Sequence, residues 1–192
     1  MNTTATTSAE ERVARTAASA SGPVVIGLGS PLLTDDTVGL RVVEALQQGG
    51  ETEFPGVTFT CLHNVGLELL DELDGHAAAL FVDCIRTDSA APGHCHELSI
   101  DDLQHTVQSR LVDSHGLSLA TIVAMGARMG YRLPTDIRIL GIEGRRLYEF
   151  AEEPTPEVRA GMGACIERAR GILRQWSQGP VQTSLRQDTG SV

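Results

Sequence analysis

The sequence predicts an α/β protein, a three-layer sandwich around a mostly parallel sheet. Two observations carry this. Short apolar runs alternate along the chain with segments of helical period, the signature of repeated strand-helix units. One of those runs, Ala77–Val82 (AAALFV), is apolar at every position, as a central strand covered on both faces must be.

The elements follow in order. Pro23–Gly29 (PVVIGLG) is a buried strand ending in glycines, and the loop Ser30–Asp35 leads to a helix. Val38, Val42, Val43 and Leu46 share one face of that helix, and Gly49-Gly50 ends it. Val57–Leu62 is a second strand and Leu67–Leu73 a short helix. Ala77–Val82 is the third strand, and Ala90-Ala91-Pro92-Gly93 turns the chain towards an edge strand within His94–Ile100. A helix over Leu117–Met129, a strand over Ile137–Ile142 and a long helix over Pro156–Trp176 complete the domain.

The 192 residues, 41% of them hydrophobic, suffice for one core without disulfides or a structural metal. A formal charge of −10 and 4% aromatic residues argue against nucleic acid and anionic membranes as partners. No run is long enough to span a bilayer. The four cysteines, Cys61, Cys84, Cys95 and Cys165, form no CxxC pair, which argues against a zinc ribbon or a thioredoxin-like site. Residues 1–22 contain no apolar signal core and read as a disordered extension, so the expected compartment is the cytoplasm. The domain then occupies 23–177, with a flexible tail over 178–192. With no exposed apolar stripe in evidence, the expected state is a monomer.

In a parallel sheet, ligands bind beyond the carboxyl ends of the strands, at the point where strand order reverses. Asp35 and Asp36 follow the first strand. Thr34 or Asp35 can cap the next helix, and both acids suit its dipole. One acid suffices for a cap, so the other, Asp36, is a candidate ligand. Asp83 directly follows the central strand, where a desolvated carboxylate needs a partner to stay charged. His115 lies in DSHGLSLATIV, just ahead of a helix. A histidine and two carboxylates from three loops suit nickel or zinc better than calcium.

Other candidates are weaker. Gly27 and Gly29 suggest a dinucleotide loop, but Leu32 stands where its third glycine belongs and Pro31 removes an amide. In His94-Cys95-His96, the strand period turns the two imidazoles to one side and the thiol to the other, so the three cannot close a metal site alone. Glu143, at the end of a strand, fixes a turn, and Arg145-Arg146 reads as a solvated basic patch. Ser114 lacks a nucleophile elbow. Cys84 sits beside Asp83, which raises the pKa of its thiol and leaves it poorly activated.

The segments GLGSPLLTDDTVGLRVVEAL, ALFVDCIRTDSAAPG and SHGLSLATIVAMGARMGYRLPTDIRILGIEG together resemble the hydrogenase maturation protease family. These endopeptidases trim the large subunit of nickel-iron hydrogenases. The resemblance runs from about Val24 to Trp176. It implies a twisted five-stranded sheet with helices on both faces. It also implies a metal-recognising and catalytic cluster of an acid after the first strand, an aspartate after the central strand and a histidine before the later helix. These fall on Asp36, Asp83 and His115. The implied substrate is a hydrogenase large-subunit precursor already holding nickel, with no permanent cofactor in the protease. Either the nickel or a carboxylate would activate water. This chain departs from many relatives at His63-Asn64-Val65-Gly66, where they carry a Gly-Gly-Thr-like turn, and at Gly144, where they carry Pro. Two other readings stay open, a hydrolase with its own zinc and a non-catalytic chaperone that inspects nickel.

Overall fold

A computed structural model describes residues 22–105, 109, 111, 118–151 and 153–178. The expected tails and His115 with its neighbours 112–117 lie outside the described residues, apart from Gly22 and Gln178 at the tail boundaries.

Five strands form one sheet: β1 (Val24–Leu28), β2 (Thr58–Leu62), β3 (Ala78–Ile85), β4 (Cys95–Leu98) and β5 (Asp136–Glu143), in the spatial order β2-β1-β3-β5-β4. All neighbouring pairs are parallel except β4 with β5. From β1 the chain adds β2 on one side and β3 on the other, so strand order reverses between β1 and β3.

The helices are α1 (Val38–Gln47), α2 (Gly50–Glu53), α3 (Leu69–Leu73), α4 (Leu119–Arg128) and α5 (Pro156–Ser177). Alternation along the strands divides the core in two. Val25, Leu80, Val82, Leu140 and Ile142 pack with Val42, Val43 and Leu46 of α1 and with Val158, Ala169 and Leu173 of α5. Val24, Ile26, Ala79, Phe81 and Ile139 pack on the other face with Leu69 and Leu73 of α3 and with Leu119 and Ile122 of α4. Helices thus cover both faces, and every residue of β3 is buried.

Two local features depart from the expected pattern. Asp35–Thr37 is a 3-10 turn leading into α1. The Gly49-Gly50 pair does end α1, but Gly50, at a φ of 57°, starts one further helical turn before the chain buries Phe54.

The start of α1 presses closely on the sheet. A Cβ on Gly39 would strike the carbonyl oxygens of Leu28 and Val82, and one on Gly27 would meet the Gly39 carbonyl oxygen at 2.7 Å. Gly27 therefore serves helix packing. In an open helix, Gly to Ala gains about 1 kcal/mol. Here the sign reverses: Gly39→Ala should destabilise the fold by about 1–3 kcal/mol, because backbone must move to admit the methyl. Urea denaturation measures this.

Candidate active site

The last pair in the β1–β3 ladder is Gly27 with Val82, so Asp83 lies immediately beyond the end of that ladder. The close approach of Gly39 to Leu28 and Val82 brings the Asp35–Thr37 turn over the end of β1 and the adjoining part of β3. The crevice at the reversal point therefore receives Asp36 from one strand and Asp83 from the other. Asp35, Asp36, Asp83 and Glu143 are all buried.

The electrostatics of Cys84 reports how closely these acids gather. Burial pushes its thiol well above the ordinary range, and the charges of Asp83, Asp35, Asp36 and Glu143 push it further. A thiol so placed stays protonated and is no nucleophile.

Each buried carboxylate has donors. The Ser30 amide donates to Asp36 Oδ2 at 2.8 Å. The Ser109 hydroxyl donates to Asp83 Oδ2 at 2.7 Å. Asp83 lies on the α3/α4 side of β3, in step with Ala79 and Phe81. Leu111 is buried on that side, and its carbonyl accepts from the Leu119 amide at 2.9 Å. Both flanks of segment 112–117 are thus fixed beside the face that carries Asp83.

Asp35 is not a helix cap. Neither it nor Thr34 makes a side-chain capping bond to the following turn, and the Thr34 hydroxyl donates to the Glu149 carbonyl instead. Asp35 reaches across to the β5–α5 connection. Its Oδ2 accepts from the amides of Arg145 and Arg146 at 3.0 and 2.9 Å. Its Oδ1 accepts from the amide and hydroxyl of Thr155 at 2.9 and 2.7 Å. Burial raises the Asp35 carboxyl, but the amides of Arg146, Thr155 and Arg145 outweigh it and hold the group below the usual carboxylate range.

Glu143 fixes a turn, as expected. It accepts from the Thr87 hydroxyl at 2.7 Å, from the amides of Thr87 and Asp88, and from Arg145 at 2.6 Å. Burial opposes its ionisation, yet the Thr87 hydroxyl and amide, the Asp88 amide and Arg145 bring it below the usual range. Arg145 is exposed, as expected, but it is engaged with its neighbours. Its guanidinium bridges Glu143, Asp88 and the Ala90 carbonyl, whereas Arg146 is largely exposed beside Glu149. Two polar side chains could not be foreseen: Ser109 and Thr155 belong to no motif and gain roles only through tertiary contact.

The rival cluster separates as the strand period dictates. The His94 and His96 rings meet edge to face at 4.6 Å, and His96 Nε2 lies 3.2 Å from Glu143 Oε2. Cys95 packs on the opposite side, against the α5 core. Among the described residues, no group of three His, Cys, Asp or Glu side chains could hold a metal ion.

At the two departures from the expected family pattern, the local reasons are visible. His63 directly follows β2, its Nδ1 lying 3.1 Å from the Gly29 carbonyl. The Gly144 amide donates to the Ile85 carbonyl at 2.8 Å, a bond proline could not make, and a Cβ there would press on Cys84 and Asp35.

No family model matches the chain. Hydrogenase 2 maturation protease of Escherichia coli (strain K12) is 27% identical over 157 residues, covering 79% of this chain and 90% of that protein. The hydrogenase expression/formation protein HupD of Rhizobium leguminosarum bv. viciae is 25% identical over 153 residues, 80% of this chain and 74% of that protein. Among solved structures, the hydrogenase maturating endopeptidase HybD from E. coli superposes with a TM-score of 0.66 at 26% identity, covering 80% of this chain and 92% of that one. The chain resembles the hydrogenase maturation proteases in both sequence and fold. These relatives are named as proteases and endopeptidases, which supports a peptidase. Among the described residues, no helix is long and apolar enough to cross a membrane.

Asp35 and Glu143 titrate lower in the folded chain than in the unfolded one. Their stabilisation is complete above the ordinary carboxylate range, near pH 4, and is lost as pH falls through the folded values. Glu143→Gln should cost about 2–3 kcal/mol at neutral pH, the scale of hydrogen bonds to a charged group, and flatten the acid limb of stability against pH. Urea denaturation from pH 7 to pH 3 measures both.

Proposed function

We propose that this chain is a peptidase that removes the C-terminal extension of a nickel-loaded nickel-iron hydrogenase large-subunit precursor, and that Asp36, Asp83 and His115 bind the precursor's nickel. The observation that carries the reading is the convergence of Asp36 and Asp83 on the reversal point of the sheet in a chain that resembles the hydrogenase maturation proteases. His115 enters on its place in the sequence, between Leu111 and Leu119, whose backbones are joined beside Asp83's face of the sheet.

Two carboxylates and an imidazole from three separate loops suit nickel, and they leave coordination positions for ligands already supplied by the precursor. Ser30 and Ser109 orient the carboxylates, the outer-shell role that metal ligands require. The protein's own part is binding and orientation. Holding the precursor by its metal sets one peptide bond beside the carboxylates, and such positioning lowers the barrier to water attack. Cys84 takes no covalent part, since its thiol is held neutral. A precursor without nickel lacks the anchoring group and is left uncut.

Intact mass spectrometry of precursor before and after mixing tests this. The expected result is loss of one C-terminal peptide from nickel-loaded precursor only. Asp83→Asn and His115→Ala should each slow the loss by about 100-fold, the scale of a misplaced reacting group. Equal cleavage of nickel-free precursor, or full activity of either variant, would overturn the reading.

A further inference from the structure

We infer that Asp35 is a positioning residue, which locks the β5–α5 connection onto the turn that carries Asp36. The inference rests on the proposed function and adds to it a residue outside the nickel-binding set.

The carboxylate has no exposed surface, and its four donors all come from one distant stretch, Arg145, Arg146 and Thr155. Backbone contacts run alongside. The Thr34 amide donates to the Glu149 carbonyl at 2.8 Å, the Asp35 amide to the Arg146 carbonyl at 3.3 Å, and Leu33 forms a bridge with Phe150. The loop before α1 and the connection before α5 are thus joined at several points, with the Asp35 carboxylate at the centre of the joint.

Asp36 is the next residue in the same turn. Its carbonyl lies so close to Gly29 that a Cβ there would collide, and its carboxylate is tied to Ser30. With one side of the turn held by Gly29 and Ser30 and the other by Asp35, Asp36 has little freedom to swing. The connection locked by Asp35 also carries Tyr148 and Phe150, which are 71% and 83% exposed. Asp35 therefore sets two things together: the aim of Asp36 and the position of the connection that carries these two rings.

The donor pattern makes a sharp test available. Both oxygens of Asp35 accept from N–H groups, so in Asp35→Asn the side-chain NH2 meets a backbone donor in either orientation. Thr155→Val removes only the hydroxyl bond and keeps the amide bond. Trp176→Phe serves as a control, since it removes the indole bond to Asp136 at the start of β5, the end of that strand away from Glu143.

Cleavage of nickel-loaded precursor is followed as kcat and KM, with thermal midpoints recorded for all four proteins. Thr155→Val should lower kcat about five-fold, the worth of one hydrogen bond, with KM little changed. Asp35→Asn should lower kcat about 10–100-fold, as loss of outer-shell support does. Trp176→Phe should lower the thermal midpoint and keep the wild-type kcat. If Asp35→Asn does not fold, Thr155→Val carries the test alone. A wild-type protein that cleaves, with Thr155→Val matching its kcat, overturns this inference only. A Trp176→Phe kcat that falls in step with its thermal midpoint also overturns it, because lost stability then accounts for the effect. A wild-type protein that leaves loaded precursor intact overturns the proposed function as well.

Discussion

Four acids buried in one corner of the fold govern the paths of the loops around it. Asp35, Asp83 and Glu143 have no exposed surface and Asp36 has 4%. A buried carboxylate costs several kcal/mol unless donors replace its lost water. The donors come from afar: Arg145, Arg146 and Thr155 for Asp35, Thr87 and Asp88 for Glu143, and Ser109 for Asp83. Each bond draws a loop towards the carboxyl ends of β1, β3 and β5. The connections after β3 and β5 and the loop before α1 are thereby shaped by the acids they surround.

The roles divide between these acids. Asp35 and Glu143 are saturated with donors and held ionised, and they build the walls. Asp36 and Asp83, at the reversal point of the sheet, are the pair proposed to meet the nickel of the precursor. A concentration of negative charge favours a divalent cation there, and burial together with that charge keeps Cys84 a neutral filler. The close packing of Gly27 and Gly39 lets the first pair of elements bring this corner together.

The parts of the fold that depend on pattern were legible in the sequence. All five strands stand within three residues of their expected bounds, because apolar runs and turn residues are local signals. The edge strand is antiparallel, and the thiol and imidazoles of His94-Cys95-His96 part as the strand period requires. Asp36 follows the first strand as the pattern places it. The central strand, however, runs on to Ile85, so Asp83 lies within β3, paired with Gly141, and beyond only the β1 ladder. Asp35 was misread as a cap because its proximity to α1 is visible in the sequence while its partners over a hundred positions away are not. Arg145 is on the surface as expected, but its ion pair with Glu143 is invisible in the sequence for the same reason, since Glu143 is buried only once β5 is covered. The helical turns at Gly50–Glu53 and Asp101–His105 are too short for a hydrophobic period to register.

The claim on which the functional account turns is that Asp36, Asp83 and His115 meet at one metal. Anomalous diffraction at the nickel edge, from crystals of the protein grown with Ni2+, tests it most directly. The account predicts one anomalous peak with carboxylate oxygens of Asp36 and Asp83 and an imidazole nitrogen of His115 within about 2.2 Å, the usual metal–ligand range. A fully bound nickel ligated by His94 and His96, with Asp36, Asp83 and His115 contributing nothing, would contradict it.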